Sequence, residues 1–236
     1  MPRDLVVRDL GRVGWAEANL LQQELVAQRK AGVIPDQLVF VEHPHVITLG
    51  RNARVNNILA SPEMLARAGV EVYETNRGGD VTYHGPGQIV GYPILDLKEW
   101  KADVRAYVAG MAKAISKTLA EYGISGVCDP EAIGVWVDGP DGPSKIAAIG
   151  VHLSRWVTSH GFALNHQTDL SYFRHIVPCG LSKPVSSMEA LGVTGAGREA
   201  IVTSLVHHFG NVFDRTPRRI PMETASSAVY RDMEKI

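Results

Sequence analysis

The residues of this chain best suited to covalent chemistry are Cys179 and Lys145. Cys179 sits in Ile176-Val177-Pro178-Cys179-Gly180-Leu181. Proline before it and glycine after it place the thiol on a constrained turn that a substrate can reach. The other cysteine, Cys128, adjoins Asp129. A carboxylate there raises the thiol pKa and makes a poorer nucleophile, so Cys128 reads as a small buried hydrophobe. An isolated cysteine is most often such a hydrophobe, and residue type alone leaves that reading open for Cys179 as well. Lys145 opens the apolar stretch Ser144-Lys145-Ile146-Ala147-Ala148-Ile149-Gly150. A lysine so placed either snorkels or sits against a thiol, lowers its pKa and takes its proton.

A second cluster of chemistry is Arg77-Gly78-Gly79-Asp80-Val81-Thr82-Tyr83-His84-Gly85-Pro86-Gly87-Gln88, with four glycines in twelve residues. Paired glycines let a backbone approach a ligand closely. The adjacent Arg77 can make a charge-assisted contact to a carbonyl or an anion. The plainer reading is a hairpin built on Gly-Gly and Gly-Pro-Gly turns. Arg77, Tyr83 and His84 together exceed what a turn needs. The chain has no Walker A loop, no HExxH helix and no GxSxG elbow. Gly195-Ala196-Gly197-Arg198-Glu199-Ala200 matches GxGxxA in form but reads as a loop entering the last helix. His43, His45, His160, His166, His207 and His208 fit no standard zinc spacing, and we expect them to be surface or hydrogen-bonded side chains with no metal.

These residues need a scaffold. Apolar spacing predicts helices over Trp15–Ala31, Asp103–Tyr122 and about Arg198–Phe209, and a short one at Ser61–Met64 with Ser61 as N-cap and Pro62 first. Strands are expected at Gln37–Val41, Val46–Leu49, Val70–Tyr73, Ile133–Val137, Lys145–Leu153 and Trp156–Leu164. Gln88–Leu97 reads as a strand that Pro93 confines to an edge or a bulge. Helices and strands mix without strict alternation, which favours an α+β domain with a mixed β-sheet flanked by helices. We expect one domain over 1–216 and a polar tail over 217–236.

Composition excludes several classes. The 236 residues are 45% hydrophobic, enough for a core, and carry a formal net charge of −1, unlike a nucleic-acid binder. The longest stretch without an acidic residue, lysine or arginine is the 15 residues Val81–Leu95, too short and too broken by prolines for a membrane span. The N-terminus has no signal-peptide core. Two cysteines without a CxxC pair suit a reducing compartment. We expect a soluble, cytoplasmic protein.

Taken together, the Arg77–Gln88 segment, the Lys145 strand ending Ala148-Ile149-Gly150, the strand Gly161-Phe162-Ala163-Leu164-Asn165, and Pro178-Cys179-Gly180-Leu181 resemble the lipoyl (octanoyl) transferases in order and spacing. The match runs from the first helix to about Phe213. The resemblance implies a fold shared with biotin and lipoate protein ligases. It implies transfer of an octanoyl group from octanoyl-acyl carrier protein to a lysine of lipoyl domains, those of 2-oxoacid dehydrogenases and of the glycine cleavage H protein, with no cofactor. By the family pattern Cys179 is the acyl-accepting nucleophile and Lys145 activates it. Arg77, Gly78, Gly79, Asp80, Val81, Thr82, Tyr83, His84, Ala148, Ile149, Gly150, Gly161, Phe162 and Ala163 would line the acyl-thioester site. Leu153, Phe162, Leu164 and Val81 are candidates for an apolar slot. Amides near Gly78-Gly79 or Cys179-Gly180 are candidates for an oxyanion site. The competing readings are an ATP-dependent lipoate or biotin ligase, and a non-catalytic binder of acyl-carrier or lipoyl domains.

Overall fold

The structure, a computed structural model, describes residues 3–129, 132–139, 142–177 and 184–220. Its frame is a mixed sheet of eight strands. In chain order these are β1 (Arg3–Arg12), β2 (Asp36–Glu42), β6 (Gln88–Ile94), β7 (Val127–Cys128), β8 (Val135–Gly139), β9 (Gly142–Ser154), β10 (Val157–Asn165) and β11 (Arg215–Arg219). Their spatial order is β11-β1-β2-β6-β10-β9-β8-β7. The first three run parallel and the remaining pairings are antiparallel. A smaller sheet, β4-β3-β5, joins β3 (Val46–Leu49), β4 (Glu71–Glu74) and β5 (Val81–His84).

Helices cover both faces of the large sheet. α1 (Trp15–Lys30) buries Ala18, Leu21 and Leu25 against Val39, Val90, Tyr92 and Ala163. α3 (Val104–Glu121) and α4 (Arg198–Phe213) pack on the other face around Phe40, Phe162 and Leu164. Burial on both sides is why β2 reads as the unbroken apolar run Leu38-Val39-Phe40-Val41, each at most 1% exposed. α3 starts at Asp103, whose carboxylate accepts the Ala106 N–H at 3.0 Å. Its stripe of Tyr107, Met111, Ile115 and Leu119 is wholly buried, whereas Val104 at the helix start is exposed. α2 (Pro62–Arg67) begins as expected, with Ser61 Oγ accepting the Met64 N–H. It packs on the small sheet with Ile47, Leu65, Val70, Val81 and Tyr83.

One expectation is corrected. Pro93 lies in a central strand, between β2 and β10, not at an edge. The β10–β6 ladder runs only from Phe162–Gly91 to Asn165–Gln88. Pro93 falls beyond it, and its carbonyl accepts the Thr158 hydroxyl at 2.7 Å. In an extended strand N–H and C=O of one residue point the same way, so the donor that proline lacks is missing where the ladder has already ended. The domain boundary expected after residue 216 falls inside β11, which pairs with β1 through Arg219; residues 221–236 lie outside the described ones. β1 itself was not expected from the sequence. A buried ion cluster ties β11 and α1 to β2: Asp36 takes Arg29 Nε and Arg215 Nε, each at 2.7 Å. Among the described residues no helix is long and apolar enough to cross a membrane.

Candidate active site

Register brings the separate sequence segments together. On the β9–β10 pairing, Gly150 faces Gly161, Ile149 faces Phe162 and Ala148 faces Ala163. The glycine loop between β4 and β5 lies over this floor, where the Gly78 N–H donates to the Val151 carbonyl at 2.8 Å. Only glycine permits that approach. A Cβ on Gly150 would stand 2.9 Å from the Gly78 carbonyl oxygen, and one on Gly161 would stand 2.2 Å from that of Gly91. A cleft opens between loop and floor, bordered by Arg77, Gly78, Gly79, Thr82, His84, Lys145, Ala148, Ile149, Gly150, Gly161, Phe162 and Ala163.

Strand alternation sorts the remaining expected residues. On β5, Thr82 and His84 border the cleft, while Val81 and Tyr83 face the opposite way into the core of the small sheet. Tyr83 stacks on Tyr172, and its hydroxyl meets His45 Nδ1 at 2.8 Å. Val81 and Tyr83 therefore do not border the cleft. The expected slot changes too. Leu153 and Leu164 pack into the core under α3 and α4, and the Phe162 ring lies between Phe40 and Phe209 although its residue borders the cleft. The apolar walls come instead from Val90, Tyr92, Ile133, Ile149 and Ala163, with Trp15 from α1. Of these, Trp15, Val90, Tyr92 and Ile133, like Thr48 and His160, were not foreseen as lining. Only their place in apolar runs signalled burial.

Arg77 braces the loop. Its guanidinium donates to the Thr48 carbonyl at 2.6 Å, to the Thr48 hydroxyl at 3.0 Å and to the Gly78 carbonyl at 3.1 Å. The Gly78 N–H is engaged with Val151, so it is not an oxyanion donor as expected. Asp80 is a brace as well. Its carboxylate accepts from Asn57 Nδ2, from the Val81 N–H at 2.8 Å and from the Arg54 N–H at 3.2 Å. The Asn57 carbonyl in turn accepts the Val177 N–H at 2.8 Å.

Lys145 is 8% exposed and projects into the cleft wall. Its Nζ donates to the Ile133 carbonyl at 3.2 Å and stands 4.8 Å over the Trp136 ring. Its stem crosses Gly134, where a Cβ would come within 3.2 Å of Lys145 Cε. Cys179 lies outside the described residues, as do its neighbours 178 and 180–183. The chain on either side is anchored. Val177 bonds to Asn57, the Lys145 N–H donates to the Pro184 carbonyl at 2.9 Å, and the Ser186 N–H donates to the Lys145 carbonyl at 3.0 Å. Cys128 is exposed, which corrects the expectation of burial. Partial desolvation and then Asp129 push its thiol pKa up, so it remains a poor nucleophile.

The cleft is cationic, with Lys145 and Arg77 in its lining; Asp80, which lines the adjoining hollow, is taken up by Asn57 and by the Arg54 and Val81 N–H groups. Such surroundings favour a thiolate and a developing oxyanion. The histidines here are neutral. Burial pulls His84 down to about 3, and the nearness of His43, Arg77 and His160 adds to it, against the hydrogen bond that His84 makes to the Gln88 side chain. Burial likewise brings His43 and His160 to about 4. The other expected histidines are hydrogen-bonded, as His166 is to the Ala196 carbonyl and His208 to Glu121. A pH dependence of stability follows. Below about pH 6.5 the unfolded chain binds protons at these three positions and the native protein does not. Their contribution is whole above that pH and is lost as pH falls toward 4, by up to about 1.4 kcal/mol per histidine per pH unit. Urea unfolding is expected to show a lower midpoint near pH 5 than near pH 7, and equal midpoints would contradict this.

A family model described as the lipoyl protein ligase A/B catalytic domain matches residues 15–210. A protein of Solibacter usitatus named octanoyltransferase is 58% identical over 212 residues, which are 90% of this chain and 94% of that one. In fold, the chain is similar to a bi-partite lipoate protein ligase of Thermoplasma acidophilum, with a TM-score of 0.73 at 14% identity over 100% of this chain and 92% of that one. It is also similar to a biotin protein ligase of Aquifex aeolicus, with a TM-score of 0.52 at 12% identity over 89% of this chain and 70% of that one. The ligases share the architecture alone, whereas the octanoyltransferase of Solibacter usitatus is similar in sequence over most of both chains. By that measure, and on the catalytic domain it matches, the chain belongs to the octanoyltransferase family.

Proposed function

We propose that this protein moves an octanoyl group from octanoyl-acyl carrier protein onto Cys179 and then onto a lysine of a lipoyl domain. The observation that carries this reading is the pairing of the Lys145 backbone with Pro184–Ser186. It ties the strand bearing the buried amine to the segment that leaves Cys179, beside the cleft that Lys145 and Arg77 line. Lys145 Nζ takes the thiol proton, and the thiolate attacks the thioester carbonyl. The tetrahedral intermediate expels the carrier thiolate, which takes the proton back. In the second half the incoming amine attacks acyl-Cys179, Lys145 accepts a proton from it, and the cysteine thiolate leaves. A thioester donor is already activated, so no nucleotide is consumed. The acyl chain lies along Val90, Tyr92 and Ala163, where each buried CH₂ adds about 0.8 kcal/mol until the slot is full.

This order predicts turnover with octanoyl-acyl carrier protein in nucleotide-free buffer. It also predicts parallel lines in double-reciprocal plots when donor and lipoyl domain are both varied. Intersecting lines would indicate a ternary complex, and strict ATP dependence would replace this reading with a ligase.

A further inference from the structure

His84 is held by a chain of side-chain amides whose direction is set from its far end. The Ser186 carbonyl can only accept, so Asn165 Nδ2 donates to it at 2.9 Å and Asn165 presents Oδ1 on its other side. That oxygen accepts from Gln88 Nε2 at 2.9 Å. The same Gln88 Nε2 lies 3.3 Å from the Tyr83 carbonyl, a second group that can only accept. Both contacts orient the Gln88 amide the same way. Gln88 Oε1 therefore faces His84 Nδ1, 2.8 Å away, and the imidazole must donate there. All of Gln88, Asn165 and His84 are buried.

The consequence reaches the cleft. With its proton on Nδ1, a neutral His84 carries a lone pair on Nε2. Among the described residues no group bonds to Nε2, and His84 borders the cleft. The charged and titratable groups facing the ring are His43, Arg77 and His160, none of them acidic. His43 is itself spoken for, with Nδ1 donating to the Val13 carbonyl and Nε2 accepting from the Tyr92 hydroxyl, each at 2.7 Å. At its other end the chain of amides stops on Ser186, whose N–H is bound to Lys145.

We infer that Gln88 and Asn165 are positioning residues that lock His84 as the Nδ1–H tautomer, present an uncharged acceptor nitrogen to the cleft, and register it on the segment following Cys179. The inference rests on the acyl-transfer reading for its use: Nε2 accepts a hydrogen bond from the N–H of the incoming amine. The lock itself does not depend on that reading. Nothing in the single residues Gln88 and Asn165 announces this role, because it exists only when β5, β6, β10 and the segment after residue 183 are assembled.

The test is a long-range proton–nitrogen NMR spectrum of the full chain labelled with ¹⁵N-histidine, in which His84→Gln assigns the resonance. The wild type is expected to show the Nδ1–H pattern for His84, unchanged between about pH 6 and about pH 8. Gln88→Met, close in volume but unable to accept, should release the tautomer toward Nε2–H. Gln88→Glu restores an acceptor at Nδ1 and should restore the pattern. With octanoyl-acyl carrier protein, Gln88→Met should lower kcat on the order of 100-fold, the low end of what a positioned acid–base group contributes, with donor KM little changed. An Nε2–H pattern or an imidazolium in the wild type overturns the lock, and this holds even if Gln88→Met does not fold. An unmoved tautomer in folded Gln88→Met overturns the role of Gln88 and Asn165. A locked tautomer in a wild type that transfers no octanoyl group supports the lock and overturns the transferase reading, so the two failures are distinct.

Discussion

Cys179→Ala is expected to lower kcat for octanoyl transfer at least about 10⁴-fold, in the range found when a nucleophile is deleted. The chain has only one other thiol, Cys128, and the structure disqualifies it. It sits exposed on the short strand β7 beside Asp129, with its pKa pushed up, and it does not border the cleft. Cys128→Ala is therefore expected to keep full turnover. Equal losses from the two substitutions would remove Cys179 from the nucleophilic role. Because Cys128 is exposed, alkylation experiments on Cys179 require the Cys128→Ser background.

Lys145→Met should carry the second-largest loss, roughly 10²- to 10⁴-fold in kcat, which is the usual contribution of a positioned acid–base group. Methionine keeps an unbranched stem across Gly134 and over the Trp136 ring, where Lys145 now lies. The backbone bonds to Pro184 and Ser186 are untouched by the change. What is lost is the proton acceptor and the positive charge. In the Cys128→Ser background the alkylation of Cys179 by iodoacetamide should slow near neutral pH, and its pH profile should move upward. Lys145→Arg should restore the charge but little of the rate, because a guanidinium does not give up its proton at these pH values. An unchanged alkylation profile in Lys145→Met would leave Lys145 a structural lysine held by Ile133 and Trp136.

Local signals made much of this molecule legible in the sequence. The helix from Asp103 declares itself by an apolar stripe, an N-cap and a closing glycine, and the structure has it from Val104 to Glu121. The Gly78-Gly79 loop was visible as paired glycines that permit a close approach, Gly150 and Gly161 stood in the segments that carry the resemblance, and the β9–β10 register sets Gly150 opposite Gly161. What escaped depended on contacts remote in sequence. β1 and β11 pair the two ends of the described chain, and neither has an internal pattern strong enough to show it. Pro93 looked like an edge marker because the end of the β10 ladder is invisible from β6 alone. Val81 and Tyr83 were grouped with their motif because period-2 alternation says that neighbours face opposite ways, not which face is the cleft. Gln88 stood within a quoted motif and Asn165 within another, yet the hydrogen bond between them spans 77 positions.

The most direct measurement is an intact-mass spectrum of the full chain after mixing with octanoyl-acyl carrier protein in the absence of lipoyl domain, followed by peptide mapping. The expected result is a gain of one octanoyl group, located on Cys179, absent in Cys179→Ala, retained in Cys128→Ala and discharged when lipoyl domain is added. No mass gain in an enzyme that turns over, or an octanoyl group on Cys179 that lipoyl domain does not remove, would contradict transfer through an acyl-cysteine.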